Sequence, residues 1–151
     1  MTTATAQAFA NIALIKYWGK KDARLRLPTN DSISINLSGV STVTAVEFVD
    51  GLKEDLVSID RRAVIGVEKQ RIIAHLDRIR QMAGTHLRAR MESRNNFPKG
   101  TGLASSASGF AALTLAASCS AGLALSEKEL SILARLGSGS ACRSIPSGGK
   151  P

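Results

Sequence analysis

Residues Ala107 to Ala121 constrain this chain more than any other stretch. They run through Ala, Leu and Phe with few polar interruptions, and Gly122 closes them. The run predicts a helix, and a helix apolar around most of its circumference is buried on most sides. Its neighbours have to come from a chain of 151 residues, one domain's worth by length. A chain of that size buries roughly two thirds of its unfolded surface, enough for a core. Aromatics make up only 4% of it, so the core rests on Ile, Leu, Val and Ala. The apolar fraction of 44% and the charged fraction of 21% are those of an ordinary globular protein rather than a disordered one.

The elements around that helix are legible from periodicity. The first 60 residues are β-rich, and Ser32-Ile33-Ser34-Ile35-Asn36-Leu37 alternates polar and apolar as a half-buried strand does. Ser38 to Ser41 is expected as a connection and Thr42 to Val49 as the next strand. Asp50-Gly51 is a turn, with a short strand from Leu56 to Ile59 after it. From Val67 to Ala83 the residues Ile72, Ile73, Leu76, Ile79, Met82 and Ala83 recur at helical spacing, and Gly84 stops the helix. Leu87, Ala89 and Met91 then alternate with Arg88, Arg90 and Glu92, a strand with a basic face that Asn95-Asn96-Phe97-Pro98 ends. A Gly/Ser-rich loop, Lys99 to Ser106, leads into the apolar helix. Ser126-Glu127-Lys128-Glu129 is a capping box opening a last helix to Leu136, with Gly137 after it. The order strands, helix, strand, helix, helix predicts an α+β layer rather than a regular βαβ array.

Several function classes drop out. No stretch approaches the ~20 apolar residues of a membrane helix. The first positive side chain follows the N-terminal apolar stretch, the reverse of a secretory signal. Cys119 and Cys142 make neither a disulfide framework nor a metal-ligand spacing, so a reducing, cytoplasmic setting and small buried structural cysteines are expected. Twenty Lys and Arg against twelve Asp and Glu leave a charge of +8, which points to an anionic partner without choosing one. The arginines at 61, 62, 71, 78, 80, 88, 90 and 94 are expected on solvated faces, without the interleaved aromatics that nucleic-acid binding uses. His75 and His86 have no carboxylate or cysteine nearby and are given no role.

Three segments have the makings of chemistry. In Pro98-Lys99-Gly100-Thr101-Gly102-Leu103-Ala104-Ser105-Ser106-Ala107-Ser108 a strand runs through glycines into a helix N-terminus. The exposed N–H groups there favour an anion, and two hydroxyls stand beside them. The Gly-Lys-Ser/Thr of a Walker loop is missing, and a plain helix cap reads the same residues equally well. Asn11 to Lys21 gathers Tyr17 and Trp18 with Lys16, Lys20 and Lys21, donors suited to a diphosphate or simply the basic end of an edge strand. Gly137-Ser138-Gly139-Ser140-Ala141-Cys142-Arg143-Ser144 offers three hydroxyls and a guanidinium to an oxyanion, or is a loose tail.

Taken in order, these segments resemble one family. Asn11 through Lys20, with Leu27-Pro28-Thr29-Asn30-Asp31-Ser32-Ile33-Ser34 behind it, is similar to the start of the diphosphomevalonate decarboxylases. Asn95-Asn96-Phe97-Pro98 with Gly102-Leu103-Ala104-Ser105-Ser106-Ala107 resembles that family's version of the GHMP kinase phosphate loop, and Gly137 to Ser144 resembles its third block. The resemblance implies the α+β N-terminal domain of a GHMP kinase, a fold shared with a ribosomal protein domain. It implies a lyase that uses ATP and Mg²⁺ to phosphorylate the 3-hydroxyl of mevalonate 5-diphosphate. The phosphate then leaves as CO2 departs, giving isopentenyl diphosphate for isoprenoid synthesis. Such chemistry is mostly positioning and charge stabilisation. A phosphomevalonate decarboxylase or mevalonate 3-kinase of the same superfamily, and a basic RNA-binding module, are the alternatives. The implied partners are the small-molecule substrate and ATP, with no nucleic acid or membrane, in a cytoplasmic enzyme that is homodimeric at full length.

The same likeness assigns roles by position. Lys16, Tyr17 and Lys20 would bind the diphosphate, and Ser138 and Ser140 the substrate. Arg143 would hold the substrate carboxylate, with Asn11 orienting it. Gly100, Thr101, Gly102, Leu103, Ala104, Ser105 and Ser106 would surround the ATP phosphates. The family's catalytic aspartate is implied to lie in a C-terminal half, and Asp22, Asp31, Asp50, Asp55, Asp60 and Asp77 all fall outside its position. Residues 1–145 are thus expected as the N-terminal domain and 146–151 as an aberrant or truncated tail, with the C-terminal domain absent. Such a chain is expected to be inactive alone, lacking the carboxylate at the attacking hydroxyl, and to expose an apolar face.

Overall fold

Two long strands lie side by side at one edge of the sheet, and the helices pack on one side of it. The computed structural model describes residues 2–15, 19–28, 33–98 and 105–145, with 20, 27 and 28 by their backbone. In chain order the strands are β1 (Ala4–Ile15), β2 (Lys20–Asp22), β3 (Leu27–Pro28), β4 (Ile33–Val49), β5 (Leu56–Ile59), β6 (Arg62–Ala63) and, after helix α1 (Gly66–Ala83), β7 (Arg88–Asn95). Helices α2 (Ser105–Ser120) and α3 (Glu127–Gly137) follow, then a 3-10 turn at Ala141–Ser144. Among the described residues the main sheet has the order β1-β4-β7-β5-β6, and β2 and β3 form a separate pair. Its strands are antiparallel except β5 and β7, which run parallel and are joined through α1.

Alternation decides which face of the sheet is covered. Ala89, Met91 and Ser93 of β7 point inward, while Arg88, Arg90, Glu92 and Arg94 face solvent. Inward residues of β1 and β4, Ala6, Ala8, Val46 and Phe48, meet Ala111, Ala112, Leu113, Ala116 and Ala117 of α2 in one core. Small side chains let α2 lie close to the strands, and Leu76 and Ile79 of α1 and Leu113 have essentially no exposure. Burying each of these three side chains contributes roughly 1.5–3 kcal/mol. The apolar circumference of α2 is thus met by the sheet below and by helices beside it. Gly84 ends α1 at φ 64, where it donates to the carbonyls of Arg80 and Gln81. The capping box of α3 is formed, and its hydrogen bonds from Ser126 hold the Glu129 carboxyl below the usual range.

Four sequence expectations are corrected. Residues Ser38 to Ser41 are not a turn between strands, because β4 is continuous through them. The register against β1 jumps there, from Phe9 opposite Ser41 to Asn11 opposite Asn36, so a wide bulge replaces the expected connection. Cys119 is exposed rather than buried. Met82, expected on the apolar stripe of α1, is 49% exposed. Arg80 is not on a solvated face but buried, paired with Asp55 and with Asp77, and donating to the Leu87 carbonyl. Asp55 also accepts from the Ala89 amide, so this ion pair ties the chain before β5 to the start of β7. Arg71 is exposed, as expected, while its guanidinium donates to the Gly137 carbonyl and lies 5.3 Å from the Phe110 ring centre.

Candidate functional site

The register shift between β1 and the bulged β4 creates the first half of the site. Where the register shifts between Phe9 and Asn11 the alternation of β1 breaks, and Ala10 and Asn11 are both buried. The Asn11 amide therefore reaches the 3-10 turn after α3, donating to the Ser140 carbonyl at 3.1 Å and to Ser144 Oγ at 2.7 Å. Its oxygen accepts from Arg143 Nε at 3.3 Å. Both amide hydrogens and the oxygen are committed, so the rotamer of Asn11 is determined and Arg143 is held from behind. Of the three hydroxyls in this block, Ser144 is fully buried and taken by Asn11.

The second half comes from the end of α3. Ser138 is its C-cap, with extended backbone and its N–H on the Ala134 carbonyl. Its hydroxyl lies 3.3 Å from Ser106 Oγ, in the first turn of α2, and 3.4 Å from Ser140 Oγ. The turn can come this close because Gly137 has no side chain. A Cβ there would sit 2.2 Å from Cδ1 of Phe110. The reading of this block as a loose tail is therefore overturned: Ser138 and Ser144 are buried, and the backbone N–H groups of Ser138, Ala141 and Arg143 are hydrogen-bonded. Cys142 lies in the same turn, and burial raises its thiol pKa.

Beside Ser105 and Ser106 a cavity of 90 Å³ opens between α1, α2 and the sheet. Ile72, Phe110 and Leu113 supply its apolar wall, and Asn95, Arg71 and Glu68 its polar groups. It pairs a helix N-terminus, where N–H groups and dipole favour an anion, with an apolar recess a few residues away.

The structure thus brings Asn11, Arg143, Ser138, Ser140 and Ser106 into one cluster, with Ser105 adjoining it. Lys16, Tyr17, Gly100, Thr101, Gly102, Leu103 and Ala104 lie outside the described residues, and Lys20 is placed by its backbone alone in β2. Sequence reasoning missed Arg71, Phe110 and Gly137, which hold the serine turn against α2. The signal available for them was a Gly directly after a helix and a Phe in an otherwise small-residue run.

The fold and site define a class of α+β domain in which a buried Asn holds an Arg beside the N-terminal turn of an apolar helix. The family described as the diphosphomevalonate decarboxylase-like N-terminal domain matches residues 8–149. The chain belongs to that family. It is 43% identical over 142 residues to the phosphomevalonate decarboxylase of Haloferax volcanii, covering 94% of this chain and 44% of that protein. It superposes on the crystal structure of the mevalonate diphosphate decarboxylase from Staphylococcus aureus with a TM-score of 0.92 and 47% identity, over 97% of this chain and 44% of that one. A solved structure of MDDEF in complex with MVAPP, AMPPCP and magnesium gives a TM-score of 0.90 and 44% identity, over 97% and 45% of the two chains. The chain therefore spans less than half the length of the relatives it matches.

Proposed function

We propose that this chain is the N-terminal region of an ATP-dependent decarboxylase acting on mevalonate 5-diphosphate in a cytoplasmic isoprenoid route. One observation carries the reading. Arg143, held by Asn11, stands in the same cluster as the Ser138–Ser106 hydrogen bond, so a carboxylate anchor and a phosphate anchor face one space. Arg143 would bind the substrate carboxylate through its planar fork. Ser138 and Ser140 would hold the substrate, with Lys16, Tyr17 and Lys20 on its diphosphate. Ser105, Ser106 and the α2 N-terminus would bind the nucleotide phosphates, with Gly100 to Ala104 around them. The cavity beside Phe110 would take an apolar part of the nucleotide. Magnesium would neutralise phosphate charge, held by the phosphates with the Ser105 and Ser106 hydroxyls as protein oxygens.

The aspartate that would orient the 3-hydroxyl is assigned to a following C-terminal domain. The 151-residue chain by itself would therefore bind ligands weakly and release no CO2. Calorimetric titration with Mg-ATP and mevalonate 5-diphosphate, beside a CO2-release assay, tests this. Heat of binding that Arg143→Ala removes for the mevalonate compound, with no turnover, is the expected result. Turnover by this chain would overturn the two-part reading. A second reading, the monophosphate substrate, is favoured by the Haloferax relative at 43% identity. Tighter binding of mevalonate 5-phosphate than of the diphosphate would select it.

A further inference from the structure

The tightest turn of the sheet sits at an unexpected place. β5 and β6 pair Ile59 with Arg62, leaving only Asp60 and Arg61 between them. Both have positive φ, 51° and 65°, the geometry of a two-residue hairpin turn that favours Asn-Gly. Two side-chain-bearing residues there store strain. Asp60 uses its side chain across the sheet. Its Oδ1 accepts the Asn95 backbone N–H at 2.9 Å and its Oδ2 accepts Asn95 Nδ2 at 3.1 Å. Its own N–H donates to the Ser93 carbonyl at 2.8 Å.

Asn95 passes the constraint on. Its amide oxygen accepts the Thr42 hydroxyl at 2.7 Å. With that proton committed, Thr42 Oγ1 accepts from Ser108, also at 2.7 Å. Thr42, in the middle of β4, and Ser108, in the first turn of α2, are buried, with 1% and 0% exposure. The bonds run in one direction: Ser108 to Thr42, Thr42 to Asn95, Asn95 to Asp60. They join the end of β7 to the start of α2, the two stems that flank residues 99–104. Asn96 adds a second grip, accepting from the Ser41 amide and donating to the Gly39 carbonyl.

We propose that Asp60 is a positioning residue for the nucleotide end of the site, setting through Asn95 and Thr42 where the first turn of α2 and its Ser105–Ser106 hydroxyls stand. The inference rests on the assignment of that turn to nucleotide phosphates. The chain runs inward from the exposed Asp60–Asn95 bonds through the part-buried Asn95–Thr42 bond to the buried Thr42–Ser108 bond, and breaking a buried member leaves its partner unsatisfied. Tolerance of a strained turn in return for a carboxylate at residue 60 accounts for the absence of glycine there.

The test uses the 151-residue chain, Mg-ATP as probe, and thermal unfolding alongside. Asp60→Gly relieves the positive-φ turn while removing the carboxylate. It is expected to leave Tm unchanged or higher while weakening Mg-ATP roughly tenfold, and Asp60→Asn, which keeps one acceptor, is expected to fall between. Thr42→Val should match Asp60→Gly in binding, and Thr42→Ser should restore it. Ser106→Ala is the control for the nucleotide assignment itself. If it weakens binding but Asp60→Gly and Thr42→Val do not, the positioning inference is overturned and the assignment stands. If Asp60→Gly weakens binding and Thr42→Val does not, the carboxylate acts by direct contact and the relay is overturned. If the parent chain binds no Mg-ATP, the assignment fails, and amide exchange at Ser105 to Ser108 then decides the tie. Faster exchange in Thr42→Val supports the tie, and unchanged exchange overturns it.

Discussion

Replacing Gly137 by alanine should disturb both the stability of this domain and its ligand site, and the structure sets the size. An added Cβ would lie 2.2 Å from Cδ1 and 2.9 Å from Cε1 and Cγ of Phe110, against ordinary contacts of 3.4–4 Å. The ring would have to retreat by about 1 Å in an interior packed to crystal density. It is boxed in: the His75 ring meets it edge-on at 5.4 Å, and the Arg71 guanidinium lies 5.3 Å from its centre. Overpacking of this kind costs about 1–3 kcal/mol, a fall in Tm of about 2–12 °C for a chain of this size. The 90 Å³ cavity beside Phe110 offers the ring an escape, which would hold the cost to the lower end. A ring displaced that way fills the recess next to Ser105 and Ser106, so Mg-ATP affinity should fall even where Tm barely moves. Differential scanning calorimetry and nucleotide titration read the two effects separately. Adding Phe110→Leu should recover part of the loss, a coupling of at least about 0.5 kcal/mol between contacting residues. Gly137→Ala with parental Tm and parental nucleotide affinity would refute the close-approach argument.

Three further outcomes follow from the core. Burial, with Arg78 adding to it, lowers the pKa of His75 from 6.5 to about 3, so the unfolded chain takes up the proton first. The associated stability is complete above pH 6.5 and is lost as pH falls toward 3, roughly 2–3 kcal/mol of it by pH 4.5. Urea titrations should show His75→Gln less stable at pH 7 but flatter across that window. Asp55→Ala leaves the buried Arg80 guanidinium with the largely exposed Asp77 as its remaining carboxylate partner and should cost about 3–5 kcal/mol in urea unfolding, whereas Glu47→Ala at the exposed pair with Arg90 should cost under about 1 kcal/mol. A thiol reagent at pH 8 should label exposed Cys119 quickly and Cys142 slowly, since burial raises the Cys142 pKa.

Local patterns in the chain determined most of the elements. Helical spacing from Ile72 to Ala83, the Ser126 capping box and the alternation along β7 each specify an element through contacts within a few residues. The apolar run of α2 likewise required burial without help from elsewhere. The blocks around Asn11, Ser106 and Arg143 also announced themselves, because Gly, Ser and Arg in short order change what a backbone can bind. Tertiary structure decided what depends on partners distant in sequence. Whether Ser38–Ser41 turns or bulges depends on β1, thirty residues earlier, and on Asn96 filling the gap. Arg80 looked like its solvated neighbours until Asp55, across the fold, offered it a buried carboxylate. Asn11 faces Arg143 because the alternation of β1 breaks at the register shift against β4, and no pattern within β1 encodes which way a side chain turns after it. The Ser138–Ser106 contact likewise depends on a glycine and a phenylalanine from different helices meeting at van der Waals distance. Propensity acts over a few residues, whereas the site is made by packing among segments more than a hundred residues apart.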